Sequence, residues 1–362
     1  NHPEVKEAAQ RAIRQYGTGC AGSRFLNGTL RIHIECEEVL ADFMGTESSL
    51  VYSTGFFANQ GTIPHLSPRE GFVFLDRMNH ASIIDSARLA LSKTIKYGHN
   101  DMEDLEKRLQ RAGDRPKLIV MDGVFSMEGD IARLPAIVTL AEQYDADVLV
   151  DDAHAIGVLG PDHSGQGTAA HFGLTDRILG TVATFSKSLA SIGGFFAGSE
   201  DLVHFLKHNS RPLIFSASPP PASMASVIKA VEIIKREPER IERLWELTNY
   251  LKTNLQTAGF HLGPCESPII PVYVGDDLKV FKACIRLQEE GIFVNPVVSP
   301  AVPPGQQLIR LSLMSTLTEE QLDYTVEKLV MVGNELDFIG KTAAELMEEA
   351  KNGQNFGSSI ER

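Results

Sequence analysis

Residues 146–160 read ADVLVDDAHAIGVLG. The opening ADVLV is a short apolar run of the kind that forms strands buried on both faces. It stops at Asp151, and His154 follows three residues on. Runs of the same character lie on either side: SLVY at 49–52, GFVFL at 71–75, KLIVM at 117–121 and LGTVA at 179–183. Amphipathic stretches such as 101–111 (DMEDLEKRLQR) and 135–144 (PAIVTLAEQY) fall between them. Strand–helix alternation of this kind predicts an α/β fold with a mainly parallel sheet. Such a sheet binds ligands outside the carboxyl ends of its strands. Reactive side chains recur at those ends here: Asp76 to His80, Asp122 to Ser126, Asp151 to His154, and Thr184 to Lys187. Each taken singly also reads as a turn or helix cap; their recurrence at successive strand ends points to a site.

The pattern changes after the prolines at 219–221. Helical periodicity covers 222–235 and, past Pro238, 239–258. Strand-like runs follow at 269–274, 292–298 and 308–313, with a helix near 278–289. A last helix over 319–336 is announced by Thr318 as cap, with Glu319 and Glu320 in its first turn. The expected organisation is a large α/β domain over 1–237 and a smaller C-terminal α+β domain over 238–339. A polar tail, 340–362, is expected to be mobile or partly helical at best.

Composition narrows the class. With 43% hydrophobic and 22% charged residues in 362, the chain has material for a sizeable core. A net charge of −13, with no long basic run, argues against nucleic-acid binding. No apolar stretch is long enough for a membrane span, which leaves peripheral membrane contact open, and the start NHPEVKEAAQRAI lacks a signal-peptide layout. The cysteines, Cys20, Cys36, Cys265 and Cys284, form no CxxC pair, so reduced thiols and a cytoplasmic location are expected. No metal site is expected.

A carboxylate at a strand end can hold a protonated ring nitrogen, and an imidazole beside it can donate to a ring hydroxyl. Asp151 and His154 have the types and spacing for those two contacts to a pyridoxal phosphate ring; the plain alternative is an Asp–Asp turn with His154 on a carbonyl. Lys187 stands among small and apolar residues in TFSKSLASIGG, which predicts a partly buried amine able to form a Schiff base. Thr184 and Ser186 can offer hydroxyls to a phosphate, and Gly193 and Gly194 permit close backbone approach. YSTGFFANQ places Gly55 at a strand-to-helix junction, where free amides attract phosphate. The GxGxxG and GxxxxGK[ST] patterns of nucleotide sites are missing from it.

Together these segments resemble the α-oxoamine synthase family of fold-type I pyridoxal-phosphate enzymes. The stretches are YGTGCAGSRFLNGT (16–29), YSTGFFANQ (52–60), DRMNHASIID (76–85), MDGVFSMEGD (121–130), VDDAHAIGVLG (150–160), TFSKSLASIGGF (184–195), FSASPPP (215–221) and LIRLSLMSTLT (308–318). The resemblance implies pyridoxal 5′-phosphate as cofactor, bound by Lys187 as the Schiff-base lysine. It makes Asp151 the partner of the ring nitrogen, His154 the imidazole near the ring hydroxyl, and His80 the ring that stacks on the cofactor. Gly55 and Phe56 supply backbone contacts, Ser126 and Thr184 hydroxyls, and Arg310 the grip on the substrate carboxylate. It also implies a homodimer with interfacial active sites, Ser216 reaching the other subunit's phosphate. Two positions depart from the pattern: Ala217, where relatives have Thr, and Leu317, where they often have His. GSRFLNGT, IKYGHNDMEDL, FSKSLAS and FVNPVVSPAVP resemble the bacterial branch that condenses L-serine with a long-chain acyl-CoA such as palmitoyl-CoA, giving 3-oxosphinganine, CoA and carbon dioxide. The alternatives are a relative using glycine or alanine with another acyl-CoA, and a pyridoxal-phosphate aminotransferase or decarboxylase that needs no thioester.

Overall fold

A computed structural model describes residues 2–349. They form two compact units: one runs to Phe125 and resumes over Ile131–Pro238, and the other comprises Ser126–Asp130 and the chain from Glu239 onward.

The first unit holds seven strands: β1 (Ser48–Tyr52), β2 (Phe72–Asp76), β3 (Lys93–Tyr97), β4 (Lys117–Asp122), β5 (Ala146–Asp151), β6 (Gly180–Thr184) and β7 (Gly194–Gly198). Their order in the sheet is β1-β7-β6-β5-β4-β2-β3. Neighbours from β6 to β3 are parallel, whereas β7 runs antiparallel to both β6 and β1. The connections explain this. Helices α1 (Pro3–Tyr16) and α2 (Arg31–Met44) precede the sheet. Then α3 (Gly55–Leu66), α4 (Ala81–Leu89), α5 (Met102–Ala112) and α6 (Leu134–Gln143) each follow one of the first four strands. A parallel partner needs such a crossover; the short turn between β6 and β7 allows only a reversal.

Both faces of the sheet are covered, which is why its strands read as unbroken apolar runs. Ala183 and Phe195 pack with Cys36, Leu40 and Phe43 of α2 and with Met224 and Val227 of the helix Pro221–Arg236. Their strand neighbours Val182 and Phe196 belong to the cluster holding Ala58 and Ile63 of α3. Strands β3 and β7 were not among the runs expected from sequence. In KTIKY the two lysines are exposed, as suits the edge of a sheet, and they break the apolar signal. In GFFAG every residue is buried, but the flanking glycines read as loop.

The opposite edge, β1, is closed by a buried ion pair. Arg24 meets Glu37 through two bonds of 2.9 and 3.0 Å, and both side chains are only 6% exposed. Glu37 Oε1 accepts the Val51 amide at 3.0 Å, and Arg24 Nη1 donates to the Val51 carbonyl at 3.4 Å. The GSRFLNGT stretch thus caps the outer side of β1.

In the second unit, β8 (Ile269–Tyr273), β9 (Asn295–Val297) and β10 (Leu308–Ser312) form an antiparallel sheet in the order β8-β10-β9. Helices Glu239–Thr257, Asp277–Glu289 and Glu319–Glu335 accompany it around a core that includes Leu251, Val272, Val280, Ile309 and Leu329. Thr318 caps the last of these in a reciprocal box: its hydroxyl takes the Gln321 amide at 3.3 Å, and Gln321 Oε1 takes the Thr318 amide at 3.0 Å. The division differs from the expected one in one segment. Ser126–Asp130 leaves the first unit and belongs to the second, where the Glu266 amide donates to the Gly129 carbonyl at 2.9 Å. The described part of the tail takes the helical form. Residues 343–349 are helical because Leu346 buries its side chain in the second unit's core and lies against Gly275. The rest of that expectation, 350–362, lies outside the described residues.

Candidate active site

The carboxyl ends of β4, β5 and β6 open onto a cavity of about 380 Å³ within the first unit. Seven of the ten residues that the resemblance assigns to the site line it: Gly55, Phe56, His80, Asp151, His154, Thr184 and Lys187.

Asp151 ends β5 and is 5% exposed. Its Oδ1 accepts the Ala153 amide at 2.9 Å and its Oδ2 accepts Asn59 Nδ2 at 2.6 Å, so the carboxylate is fixed at both oxygens. His154 follows on the turn and is half-buried. Across the β4–β5 ladder Asp151 pairs with Asp122, whose Oδ2 takes the His80 amide at 2.7 Å. Burial first, then the neighbouring Asp151, pushes Asp122 well above the usual carboxylate range. His80 begins α4, and its Nδ1 accepts the Ser82 amide at 3.2 Å.

Lys187 stands on the turn from β6 to β7. That turn is tied by Thr184, whose Oγ1 donates to the Gly193 carbonyl at 3.1 Å, by the Phe185 amide on the same carbonyl at 3.0 Å, and by the Ala190 amide on the Lys187 carbonyl at 3.1 Å. In the single chain Lys187 as a whole residue is exposed, as are Ser186 and Ser188 beside it, and Lys187 lines the cavity. Facing the turn, α3 starts at Gly55. Thr54 takes the Phe57 amide at 3.1 Å, which leaves the amides of Gly55 and Phe56 for an anion. The approach is close: a Cβ on Gly194 would lie 2.6 Å from Gly55 Cα, and one on Gly55 would lie 2.7 Å from Thr184 Oγ1.

Three predicted residues do not line this cavity. Ser126 and Arg310 belong to the second unit, where Arg310 Nη1 donates to the Ser126 carbonyl at 3.1 Å. Burial draws the Arg310 guanidinium below the ordinary arginine value, and its Nε is buried without a partner among the described residues. Ser216 lies on the half-buried segment before the prolines, next to Ala217, whose carbonyl accepts from Ser53 Oγ at 2.6 Å. The strand-end Asp76 is turned away from the cavity onto His99 Nδ1 (2.9 Å) and the amides of Met78 (2.8 Å) and Asn100 (2.9 Å). Two lining residues, Asn59 and Ser82, had no signal in the sequence beyond their place inside YSTGFFANQ and DRMNHASIID. Their hydrogen bonds reach other elements, which spacing along the chain does not report.

An amine, a fixed carboxylate and a helix N-terminus around one cavity match a known arrangement. The profile of the family described as aminotransferase class I and II matches residues 1–329. The chain belongs to that family. It is 56% identical over 331 residues to a serine palmitoyltransferase of Sphingobacterium spiritivorum, covering 91% of this chain and 82% of that one. An 8-amino-7-oxononanoate synthase of Bacillus velezensis is 43% identical over 340 residues, covering 94% and 86%. Among solved structures, a serine palmitoyltransferase from S. paucimobilis with a bound PLP–myriocin aldimine superposes with a TM-score of 0.90 at 36% identity, covering 93% and 85%. The fold is accordingly that of a fold-type I PLP enzyme, as the family resemblance implied.

Proposed function

We propose that this chain is a pyridoxal-phosphate-dependent acyltransferase joining L-serine to a long-chain acyl-CoA such as palmitoyl-CoA. The products are 3-oxosphinganine, CoA and carbon dioxide, the entry step of sphingolipid synthesis. The observation that carries this reading is the convergence of Lys187, Asp151 and the start of α3 on one cavity, in a chain 56% identical to a serine palmitoyltransferase.

The residues fit the cofactor. The Gly55–Gly194–Thr184 contact, too close for a Cβ, packs the start of α3 against β6 and β7 and sets its free helix amides, which suit a phosphate, at the cavity. The fixed Asp151 carboxylate suits a ring N–H, His154 a ring hydroxyl, His80 a ring face and Lys187 Nζ covalent attachment. When bound, pyridoxal phosphate supplies an electron sink for negative charge at the amino acid's α-carbon. Asp151 holds the ring nitrogen protonated so that it can accept that charge. Lys187 Nζ would be the base that takes the α-proton and later returns a proton to the product. Arg310 grips the serine carboxylate through its planar fork. The α-carbon then bonds to the thioester carbonyl carbon, CoA leaves as its thiol, and the carboxylate departs as carbon dioxide.

We assign the working form as a homodimer, with Ser216 serving the partner's site. Exposed Phe25, Leu26 and Phe215 support this: they lie on two segments joined at the Ser23–Ala217 bridge. Four cysteines, all thiols, support a cytoplasmic location. No helix among the described residues is long and apolar enough to cross a membrane.

The test is CoA thiol release from palmitoyl-CoA by cofactor-loaded protein, with serine, glycine, alanine and threonine supplied separately. Release with serine alone is expected. Release with alanine or glycine instead would move the chain toward its 8-amino-7-oxononanoate synthase relatives, and no release with any amino acid would overturn the palmitoyl-CoA reading, leaving another acyl donor or the aminotransferase or decarboxylase class.

A further inference from the structure

We propose that Asn59 is a positioning residue that sets both Asp151 and the ring of His80 through one amide. Asn59 lies one turn into α3, is 2% exposed and borders the cavity. Its Nδ2 is 2.6 Å from Asp151 Oδ2 and 2.9 Å from Ser82 Oγ. An amide nitrogen has two hydrogens, and here each has one acceptor. The orientation is dictated: exchanging Nδ2 and Oδ1 would set an amide oxygen against a carboxylate oxygen.

Direction then propagates. Ser82 Oγ accepts from Asn59, which leaves its own hydrogen for His80 Nδ1 at 2.7 Å. The Ser82 amide points at the same nitrogen from 3.2 Å. Two donors on Nδ1 make it an acceptor, so the ring proton resides on Nε2. Side chains from three elements, α3, the end of β5 and the start of α4, are thereby locked to one another. Asn59 touches no reacting atom in this scheme; it acts through Asp151 and His80.

This inference rests on the pyridoxal-phosphate reading, and the experiment separates the two. Pyridoxal phosphate is titrated into wild type, Asn59→Ala and Ser82→Ala, following dissociation constant and the pH profile of the bound absorbance. Asn59→Ala is expected to bind at least about tenfold more weakly and to show a displaced pH profile. Ser82→Ala, which spares Asp151 and breaks only the His80 arm, should weaken binding less than Asn59→Ala does. An Asn59→Ala protein with wild-type affinity and profile would overturn the proposal. A second arm needs no altered Asn59: in ¹⁵N-histidine-labelled wild type, with the signal assigned through His80→Gln, His80 is expected as the Nε2–H tautomer. Observation of Nδ1–H overturns the arrangement even if Asn59→Ala fails to fold. Failure of wild type to take up the cofactor would count against the cofactor reading, while the tautomer still decides the role of Asn59.

Discussion

Among the described residues Lys187 is the only amine lining the cavity, on a turn already tied by Thr184, Phe185 and Ala190. Removing it takes away both the attachment point and the proton carrier without loosening the turn, since those ties use backbone and neighbouring atoms. Lys187→Ala should lower turnover by at least about 10³-fold and abolish the near-visible absorbance of lysine-bound cofactor; a variant that keeps both would remove Lys187 from the chemistry. Arg310 makes a different claim. Its fork has one bond to the Ser126 carbonyl and an Nε with no partner, an arrangement with capacity left for a carboxylate. Charge-assisted bonds are worth roughly 1.5–3 kcal/mol, so Arg310→Ala should raise the KM for serine about 10- to 100-fold. An unchanged KM would assign the arginine to the second unit's own structure.

The turn after β5 carries an electrostatic load of its own. Asp152 is fully buried, takes the Thr168 amide at 2.8 Å, and is pushed up to about 7 by that burial. In the unfolded chain the same carboxyl titrates near 4. Between about pH 4 and pH 7 the folded state therefore binds more protons, and stability falls as pH rises through that window, levelling off above it. Asp152→Asn removes this titration. Its unfolding free energy relative to wild type should climb by up to about 1.4 kcal/mol per pH unit across the window; urea unfolding at several pH values reads the slope, and a constant difference would refute the assignment. How far each element was legible follows from where its signal resides. The strands ending in Asp76, Asp122 and Asp151 declare themselves because burial on both faces forces continuous apolar runs. Strand β7 hides its two phenylalanines between glycines, and β3 hides behind edge lysines. Seven cavity residues could be named from motifs, because the family pattern runs along the chain. Asn59 and Ser82 could not be given roles, because their partners are contributed by other elements.

At the scale of the molecule, the exposed aromatic and aliphatic side chains of 25–26 and 215 mark the surface a second copy would cover. Sedimentation equilibrium should return twice the monomer mass, and Phe215→Glu should shift it toward monomer with loss of activity; an active, stable monomer would overturn the dimer assignment. The order of strands also has a consequence for how the chain is made. Strand β1 finds its sheet partner only in β7, about 140 residues later. At roughly 5–20 residues per second, a ribosome delivers that partner roughly 7–30 s after β1 has emerged. Through that interval β1 is an apolar ribbon with open hydrogen-bonding groups, the feature that invites wrong pairing. Arg24 and Glu37 are synthesised before it and clasp Val51 from the outer side. In the fold that side is occupied, so β1 offers a strand a single side, and it is the one that β7 takes.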